Sequence, residues 1–187
     1  MKKIMSPLLG MFLLLSGGAG AFAQDGKRDD DKEQKTRKGE NKREEPIVSG
    51  EEKNVGVMLK IFSAIERRDA QMALEFFHPD VEFHWPPSLP YGGTSRGLKL
   101  SGPTWVATWD PLQPTEAERR MDPRVVAASE EEVVILWRQR GVSPAGDRID
   151  TPVLGLYQLR EGKLARAQMF YFDTAAALSF LAKVKGQ

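Results

Sequence analysis

Cysteine is absent from this chain of 187 residues, and histidine occurs only as His78 and His84. A chain without cysteine forms no disulfide and offers neither a thiolate metal site nor a cysteine nucleophile. Two histidines exclude a multi-histidine metal site, and no acidic spacing is typical of a calcium-binding loop. The sequence therefore predicts a domain that holds no metal.

An excess of charge of one sign is also missing. The 27 basic and 26 acidic residues give a formal net charge of +1. Once the N-terminal region is set aside, the basic residues form no continuous stripe, which argues against a nucleic-acid partner. An apolar run between Pro7 and Leu15 falls short of the roughly 20 residues that span a bilayer. We therefore expect no stable membrane insertion of the mature protein.

The N-terminal apolar run is typical of a secretory signal peptide. Lys2 and Lys3 precede it, and small residues that end in Ala21-Phe-Ala23 follow it. This order predicts a signal peptide over residues 1–23, with cleavage near Ala23-Gln24. The alternative is an uncleaved anchor, for which the run is short. We expect an exported protein, periplasmic or secreted, that is soluble after cleavage.

A charged segment follows the predicted cleavage site. From Gln24 to about Pro46 it contains no apolar residue, and charges of both signs are interleaved. Such a segment cannot offset the conformational entropy lost on folding, so we predict a disordered linker over residues 24–48. An electrostatic tether to a surface or partner is the alternative interpretation. The folded domain is predicted to occupy residues 49–187.

The first part of this domain has the pattern of two helices. Ser49-Gly-Glu-Glu52 is a capping-box sequence, and apolar residues recur at helical spacing from Val55 to Ile65. They predict a helix that ends near Arg68. Asp69 is predicted to cap a second, short helix that continues through Phe77.

The middle of the domain combines a strand, a loop and a helix. Residues 81–85 alternate between apolar and polar side chains, with His84 on the polar side, and predict a short strand. Residues 88–97 are rich in glycine and proline and predict a loop. A helix is predicted to start at Pro103 and to place Trp105 and Trp109 on one face, either in the core or in a pocket wall.

The remaining sequence is rich in strands. Helices followed by an antiparallel meander predict an α+β fold, with helices on one face of a curved sheet. The predicted strands cover residues 124–128, 132–140, 151–160 and 163–173, and a last helix covers Thr174–Leu181.

Asp173 stands at the end of the last predicted strand, beside aromatic residues. It has two interpretations from the residues alone. Its carboxylate caps the following helix by accepting N–H bonds from the first turn. It alternatively lies at a pocket, where apolar walls raise its pKa. The two interpretations are compatible with each other.

Five short segments together resemble a known family. They are Phe77-His-Pro-Asp-Val81, Phe83-His-Trp-Pro86, Leu89-Pro-Tyr-Gly-Gly-Thr-Ser-Arg-Gly97, Leu159-Arg-Glu-Gly-Lys-Leu164 and Tyr171-Phe-Asp-Thr-Ala-Ala-Ala-Leu178. In order and spacing, residues from about Val55 to Leu181 resemble the SnoaL-like branch of the nuclear transport factor 2-like superfamily. That superfamily includes ketosteroid isomerases, limonene epoxide hydrolases and scytalone dehydratases. Ser101-Gly-Pro103 departs from the family pattern, because it interrupts a run that is usually continuous.

The resemblance implies a cone-shaped, curved antiparallel sheet wrapped around the N-terminal helices, with a deep apolar pocket. It also implies a homodimer formed through the outer face of the sheet. Asp173 matches the late-strand carboxylate of catalytic members, and His84 matches a histidine on their early strand. The residues that we expect in the pocket wall are mostly aromatic: Trp85, Tyr91, Trp105, Trp109, Trp137, Met169 and Tyr171.

The function stays open between several classes, because this fold carries unrelated chemistries. The main prediction is a pocket that binds a small apolar molecule without a cofactor. The alternative is a cofactor-independent isomerase, cyclase or dehydratase. In it Asp173 is the general acid or base, and His84 or a tyrosine donates to the developing enolate oxygen. A third possibility is a domain that serves only as a dimerisation platform.

Overall fold

A computed structural model of the protein describes residues 49–98 and 103–185. The predicted signal peptide (1–23), the predicted linker (24–48) and the departure from the family pattern at Ser101 and Gly102 lie outside the described residues. None of the described helices is long and apolar enough to cross a membrane.

Five α-helices and six strands make up the described part of the chain. The helices are α1 Gly50–Glu66, α2 Ala70–Glu75, α3 Pro103–Trp109, α4 Glu116–Arg119 and α5 Thr174–Lys185, and a 3-10 turn covers Asp110–Leu112. The strands are β1 Phe77–Trp85, β2 Gly93–Arg96, β3 Arg124–Ala128, β4 Glu132–Val142, β5 Arg148–Arg160 and β6 Lys163–Tyr171.

All six strands form one sheet in the order β2-β1-β6-β5-β4-β3. The pair β1 and β6 is parallel, and the other pairs are antiparallel. Helix α1 contacts β3, β4 and β6 on the inner face of this curved sheet. The predicted α+β fold is confirmed.

Helix α1 forms as its sequence predicts. The Ser49 hydroxyl accepts a bond of 3.1 Å from the Glu52 amide, and the Glu52 carboxylate accepts one of 3.2 Å from the Ser49 amide. These reciprocal bonds satisfy two N–H groups that have no partner within the helix. Its apolar side chains Met58, Ile61 and Phe62 are buried against the sheet. The helix therefore forms one wall of the interior.

Two segments predicted as helix or loop belong to the sheet. Phe77 begins β1 rather than ending α2, and residues 93–96 form an edge strand rather than a loop. The amide of Leu164 donates a hydrogen bond of 2.8 Å to the carbonyl of Phe76, and this bond holds the start of β1 beside β6. Pairing with another strand decides both cases, because β6 pairs with Phe77 and the preceding strand β1 pairs with residues 93–96. Local propensity does not record such pairing.

A β-bulge changes the face of one residue on the last strand. Strict alternation places Leu164 on the outer face together with Phe170, yet Leu164 is buried on the inner face. The register shifts between Gln158 and Leu159, so that Leu159 pairs with Leu164 and Gln158 pairs with Arg166. The extra residue in β6 turns Leu164 inward.

Candidate functional site

A cavity of about 540 Å³ lies between α1, α2, α3 and the inner face of the sheet. Most of the side chains that line it are apolar or aromatic. They come from three regions of the chain: Met58, Ile61, Phe62, Ala73 and Phe77 from the first helices and β1, Trp105 and Val106 from α3, and Trp137, Tyr157, Leu164 and Met169 from the sheet. The volume is within the range of small-molecule sites.

Four of the seven predicted wall residues line this cavity. They are Trp85, Trp105, Trp137 and Met169. Trp85 on β1 and Trp105 on α3 stack with ring centroids 5.7 Å apart and an interplanar angle of 12°. This pair brings together two segments that the sequence separates by a loop.

The other three predicted wall residues lie behind the cavity wall. Tyr91 and Tyr171 are buried, and Trp109 is 0% exposed and stacks on Phe180 at 6.1 Å. None of these three lines the cavity. Tyr91 instead lines a second cavity of about 230 Å³, together with Trp85 and Trp105. Contact of these three residues with a ligand stays a prediction. In the tryptophan pair of α3, Trp105 belongs to the wall and Trp109 belongs to the core.

A hydrogen-bond network links the buried tyrosines to the cavity wall. The Tyr91 hydroxyl donates to the Tyr171 hydroxyl at 3.0 Å, and that hydroxyl donates to Gln139 Oε1 at 3.4 Å. Trp105 Nε1 donates to the same oxygen at 3.2 Å, and Gln139 Nε2 donates to the Arg140 carbonyl at 3.3 Å. Gln139 is only 1% exposed. Because its polar groups already have partners, this part of the wall presents an apolar surface.

All three tyrosines of the chain stay protonated at neutral pH. Burial raises the pKa of Tyr91 to about 12, although the hydrogen bond with Tyr171 acts in the opposite direction. Burial also raises the pKa of Tyr157 and that of Tyr171 well above the ordinary value. A neutral phenol donates hydrogen bonds but does not act as a general base. The tyrosines therefore give the site no base, and Tyr157 is the one whose side chain lines the cavity.

Asp173 does not face the cavity. Strand β6 ends at Tyr171, and the Asp173 side chain is exposed ahead of α5. Its Oδ1 atom accepts a bond of 2.8 Å from the Ala176 amide. Of the two interpretations of this carboxylate, the structure supports the helix cap. The expected place in an apolar hollow is wrong, because the chain leaves the sheet before it reaches Asp173.

His84 also lies away from the cavity. Its Nε2 atom is 3.0 Å from Glu82 Oε2, and its Nδ1 atom is 3.1 Å from the hydroxyl of Thr94. Glu82 and His84 share the face of β1 opposite to Phe83 and Trp85, as alternation along the strand predicts. The two residues expected to perform catalysis are thus not brought together in the cavity.

Substituting Asp173 tests the assigned cap. We expect Asp173→Ala to lower the free energy of unfolding by about 1 kcal/mol, because the Ala176 amide loses its acceptor. Asp173→Asn keeps an oxygen that accepts this bond and is expected to be nearly neutral. Urea titration of both variants provides the measurement. Equal destabilisation by the two substitutions would contradict a role as a cap.

Four charged residues also line the cavity: Arg68, Asp69, Asp110 and Arg119. Because Arg68, Asp69 and Asp110 are exposed and Arg119 is only partly buried, we take these side chains as the cavity mouth. Sequence reasoning identified Asp69 as a helix cap and missed the other three. They stand at the end of α1, after α3 and in α4, so no local pattern shows that they meet. Within residues 49–98 and 103–185 there is no group of three or more side chains suited to hold a metal ion.

Comparison with known proteins identifies the family. The family model of the SnoaL-like domain matches residues 59–167, which is more than half of the chain. A search of curated protein sequences found no match.

Three solved structures show the same fold. The crystal structure of TerC co-crystallized with polyporic acid is 21% identical, with a TM-score of 0.57, and the match covers 70% of this chain and 98% of TerC. Bal32a, from a soil-derived mobile gene cassette, is 15% identical at a TM-score of 0.60 and is matched over 71% of this chain and 99% of its own. A putative SnoaL-like polyketide cyclase from Jannaschia sp. CCS1 is 20% identical at a TM-score of 0.55, over 74% and 98%.

The order of strands, the helices on the inner face and the extent of the sequence match agree with one another. The chain therefore belongs to the SnoaL-like domain family.

Proposed function

We propose that this domain binds a small apolar molecule in the cavity between its helices and its sheet. The observation that carries this proposal is the cavity itself, about 540 Å³ in volume and lined mainly by apolar and aromatic side chains. Burial of an apolar ligand against such walls is favourable by roughly 25 cal/mol per Å² of surface removed from water. TerC, which shares the fold, was co-crystallized with polyporic acid, and this agrees with a small-molecule ligand for this chain.

The alternative, a cofactor-independent isomerase, cyclase or dehydratase, has less support. Its intended base, Asp173, is exposed and caps α5. The buried tyrosines are neutral, and Asp110 at the cavity mouth is paired with Arg68. Among the described lining residues the two carboxylates, Asp69 and Asp110, stand at the mouth. A binding role therefore accounts for more of the site than general-base catalysis does.

Filling part of the cavity is expected to weaken binding without unfolding the protein. Ala73 on α2 lines the cavity, so we expect a leucine there to occupy part of its volume. We expect Ala73→Leu to weaken the binding of phenylnaphthylamine, a neutral apolar fluorophore, by about tenfold, because the ligand loses roughly 1.4 kcal/mol of contact. Probe fluorescence gives the affinity, and urea titration gives the stability.

The matched control for this experiment is Ala175→Leu. Ala175 is exposed on α5 and does not line the cavity, so the same substitution there adds an apolar side chain at the surface. We expect wild-type affinity for this control. If both leucine variants bind the probe as the wild type does, the probe lies elsewhere and the cavity is not the binding site.

We also propose that two copies pair through the outer face of the sheet. Leu136, Leu154 and Phe170 are neighbours across β4, β5 and β6, and the last two are 37% and 48% exposed. An exposed apolar row in the middle of a sheet favours a two-fold dimer, in which the same row of a second copy covers it. The Arg138–Asp150 ion pair flanks the row with charges of both signs, which suits self-pairing.

A charged residue in this row is expected to separate the copies. We expect Phe170→Glu to halve the molar mass measured by light scattering, since the interface would bury two unpaired carboxylates. Val126→Glu is the control, because Val126 is exposed on the edge strand β3, outside the row. A wild-type mass equal to that of one chain would refute the pairing.

Export is proposed from the sequence alone. We propose that the chain is cleaved near Ala23-Gln24 and acts in the periplasm or outside the cell. The intact mass of the protein recovered from the cell envelope or the medium tests this cleavage. A mass that includes residues 1–23 would contradict it.

A further inference from the structure

The two arginines of the cavity mouth differ in how they are held. Arg68 follows α1 with a backbone φ of 62° and forms an ion pair with Asp110. Its guanidinium also donates to the carbonyl oxygens of Asp110 at 3.3 Å and Gln113 at 3.2 Å. Arg68 therefore already has a carboxylate partner and a fixed position.

Arg119 has no carboxylate within ion-pair distance in the described part of the chain. Its Nη1 atom donates to the Pro114 carbonyl at 3.4 Å, which is long for a hydrogen bond, and its buried Nε atom has no partner there. A guanidinium carries five N–H donors. Asp69, the other carboxylate of the mouth, accepts a bond from the Met72 amide at 3.0 Å as the cap of α2. Neither carboxylate of the mouth neutralises Arg119.

The two positive charges also act on each other. Burial lowers the pKa of Arg68, and the charge of Arg119 lowers it further. Two guanidinium groups that share the edge of an apolar cavity favour an anion, because it relieves their repulsion and accepts charge-assisted hydrogen bonds. Within the described residues the inner wall offers no charged partner: the amide of Gln139 is occupied by Trp105, Tyr171 and Arg140, and the unpartnered Trp137 Nε1 donor is neutral.

We infer that the ligand of this cavity is an apolar molecule with one acidic group, and that Arg119 binds this group at the cavity mouth. The carboxylate or a similar anion faces outward, and the apolar body lies against Trp105, Trp137 and Met169. This inference rests on the proposed binding function and adds the chemical class and the orientation of the ligand. Arg119 selects the acid, while the aromatic wall accepts apolar groups of many shapes.

Two fluorophores with the same ring system test the inference. Anilinonaphthalene sulfonate carries an anionic group that stands in for the carboxylate, and phenylnaphthylamine carries none. We expect Arg119→Gln to weaken the sulfonate probe by about tenfold or more and to leave the neutral probe unchanged, because a hydrogen bond to a charged group is lost. Arg124→Gln is the control, since Arg124 is exposed on β3 and does not line the cavity.

A charge-conserving variant separates recognition from folding. Arg119→Lys keeps the positive charge, and we expect it to retain most of the preference for the sulfonate probe. If Arg119→Gln lowers the affinity for both probes equally, the side chain serves only as part of the cavity wall and the inference is overturned. An unchanged affinity for the sulfonate probe would also overturn it. If the wild type binds the neutral probe but Arg119 makes no distinction, only this inference fails. If it binds neither probe, the proposed binding function fails as well.

Discussion

Trp109→Ala is expected to lower the free energy of unfolding by about 3–5 kcal/mol, the usual range for removing a large buried aromatic side chain. Trp109 is fully buried at the end of α3, and its ring lies parallel to Phe180 of α5, with an interplanar angle of 8°. Gly141 of β4 leaves room for it, since a Cβ atom there would lie 3.2 Å from the indole. Urea titration followed by circular dichroism measures the loss.

Trp105→Ala is the matched control for this prediction. Trp105 lies one turn earlier on α3, is only partly buried and lines the cavity. We expect a smaller loss of stability from Trp105→Ala and a clear loss of affinity for phenylnaphthylamine, because the ligand loses part of its wall. If Trp109→Ala instead kept its stability and lost affinity for phenylnaphthylamine, Trp109 would be part of the ligand site.

The parts of the fold that local sequence determines were predictable. Helix α1 carries its own start signal at Ser49 and an apolar stripe that needs only a surface to cover it. The cap at Asp173 is likewise local, because its acceptor atom and the Ala176 amide are three residues apart. Such features depend on neighbours in the chain and are visible before the fold is known.

The parts that depend on how one strand pairs with another were not predictable. The bulge in β6 that turns Leu164 inward exists only against β5, and the edge strand β2 exists only against β1. Trp105 and Trp109 lie on the same face of α3, so the sequence does not distinguish them. In the structure Trp105 lines the cavity, whereas Trp109 stacks on Phe180 in the core. The sequence could therefore predict a cavity of this type but not all of its wall.

The candidate site shows the same division more sharply. Arg68, Asp110 and Arg119 come from three segments, and only the packed domain places them around one opening. Charged residues at helix ends are common, so their sequence positions carried no signal. Asp173 stands next to aromatic residues in the sequence, which favoured a place in the pocket. In the structure β6 ends at Tyr171, and the Asp173 side chain is exposed outside the cavity.

Gly155→Ala is the second substitution with a large expected effect. Gly155 lies in the middle of β5, paired with Ile135 and Met169, and the phenol ring of Tyr157 lies back over it. A Cβ atom at residue 155 would overlap that ring, which has little freedom to move because it packs edge-on against Phe62 at 5.9 Å. We expect a loss of about 3 kcal/mol from overpacking. Because Tyr157 lines the cavity, we also expect weaker probe binding.

A double-mutant cycle identifies the cause of this loss. If the clash with Tyr157 is responsible, Gly155→Ala should cost less than about 1 kcal/mol when Tyr157→Val has removed the ring, since the two substitutions are then coupled. Gly56→Ala is the control, because a Cβ atom there meets nothing within 4 Å and alanine favours the helix by roughly 0.5–1 kcal/mol. An equal cost of Gly155→Ala in both backgrounds would mean that the strand itself, and not the tyrosine, requires glycine. The Tyr157 ring would then not be the reason why residue 155 of β5 is glycine.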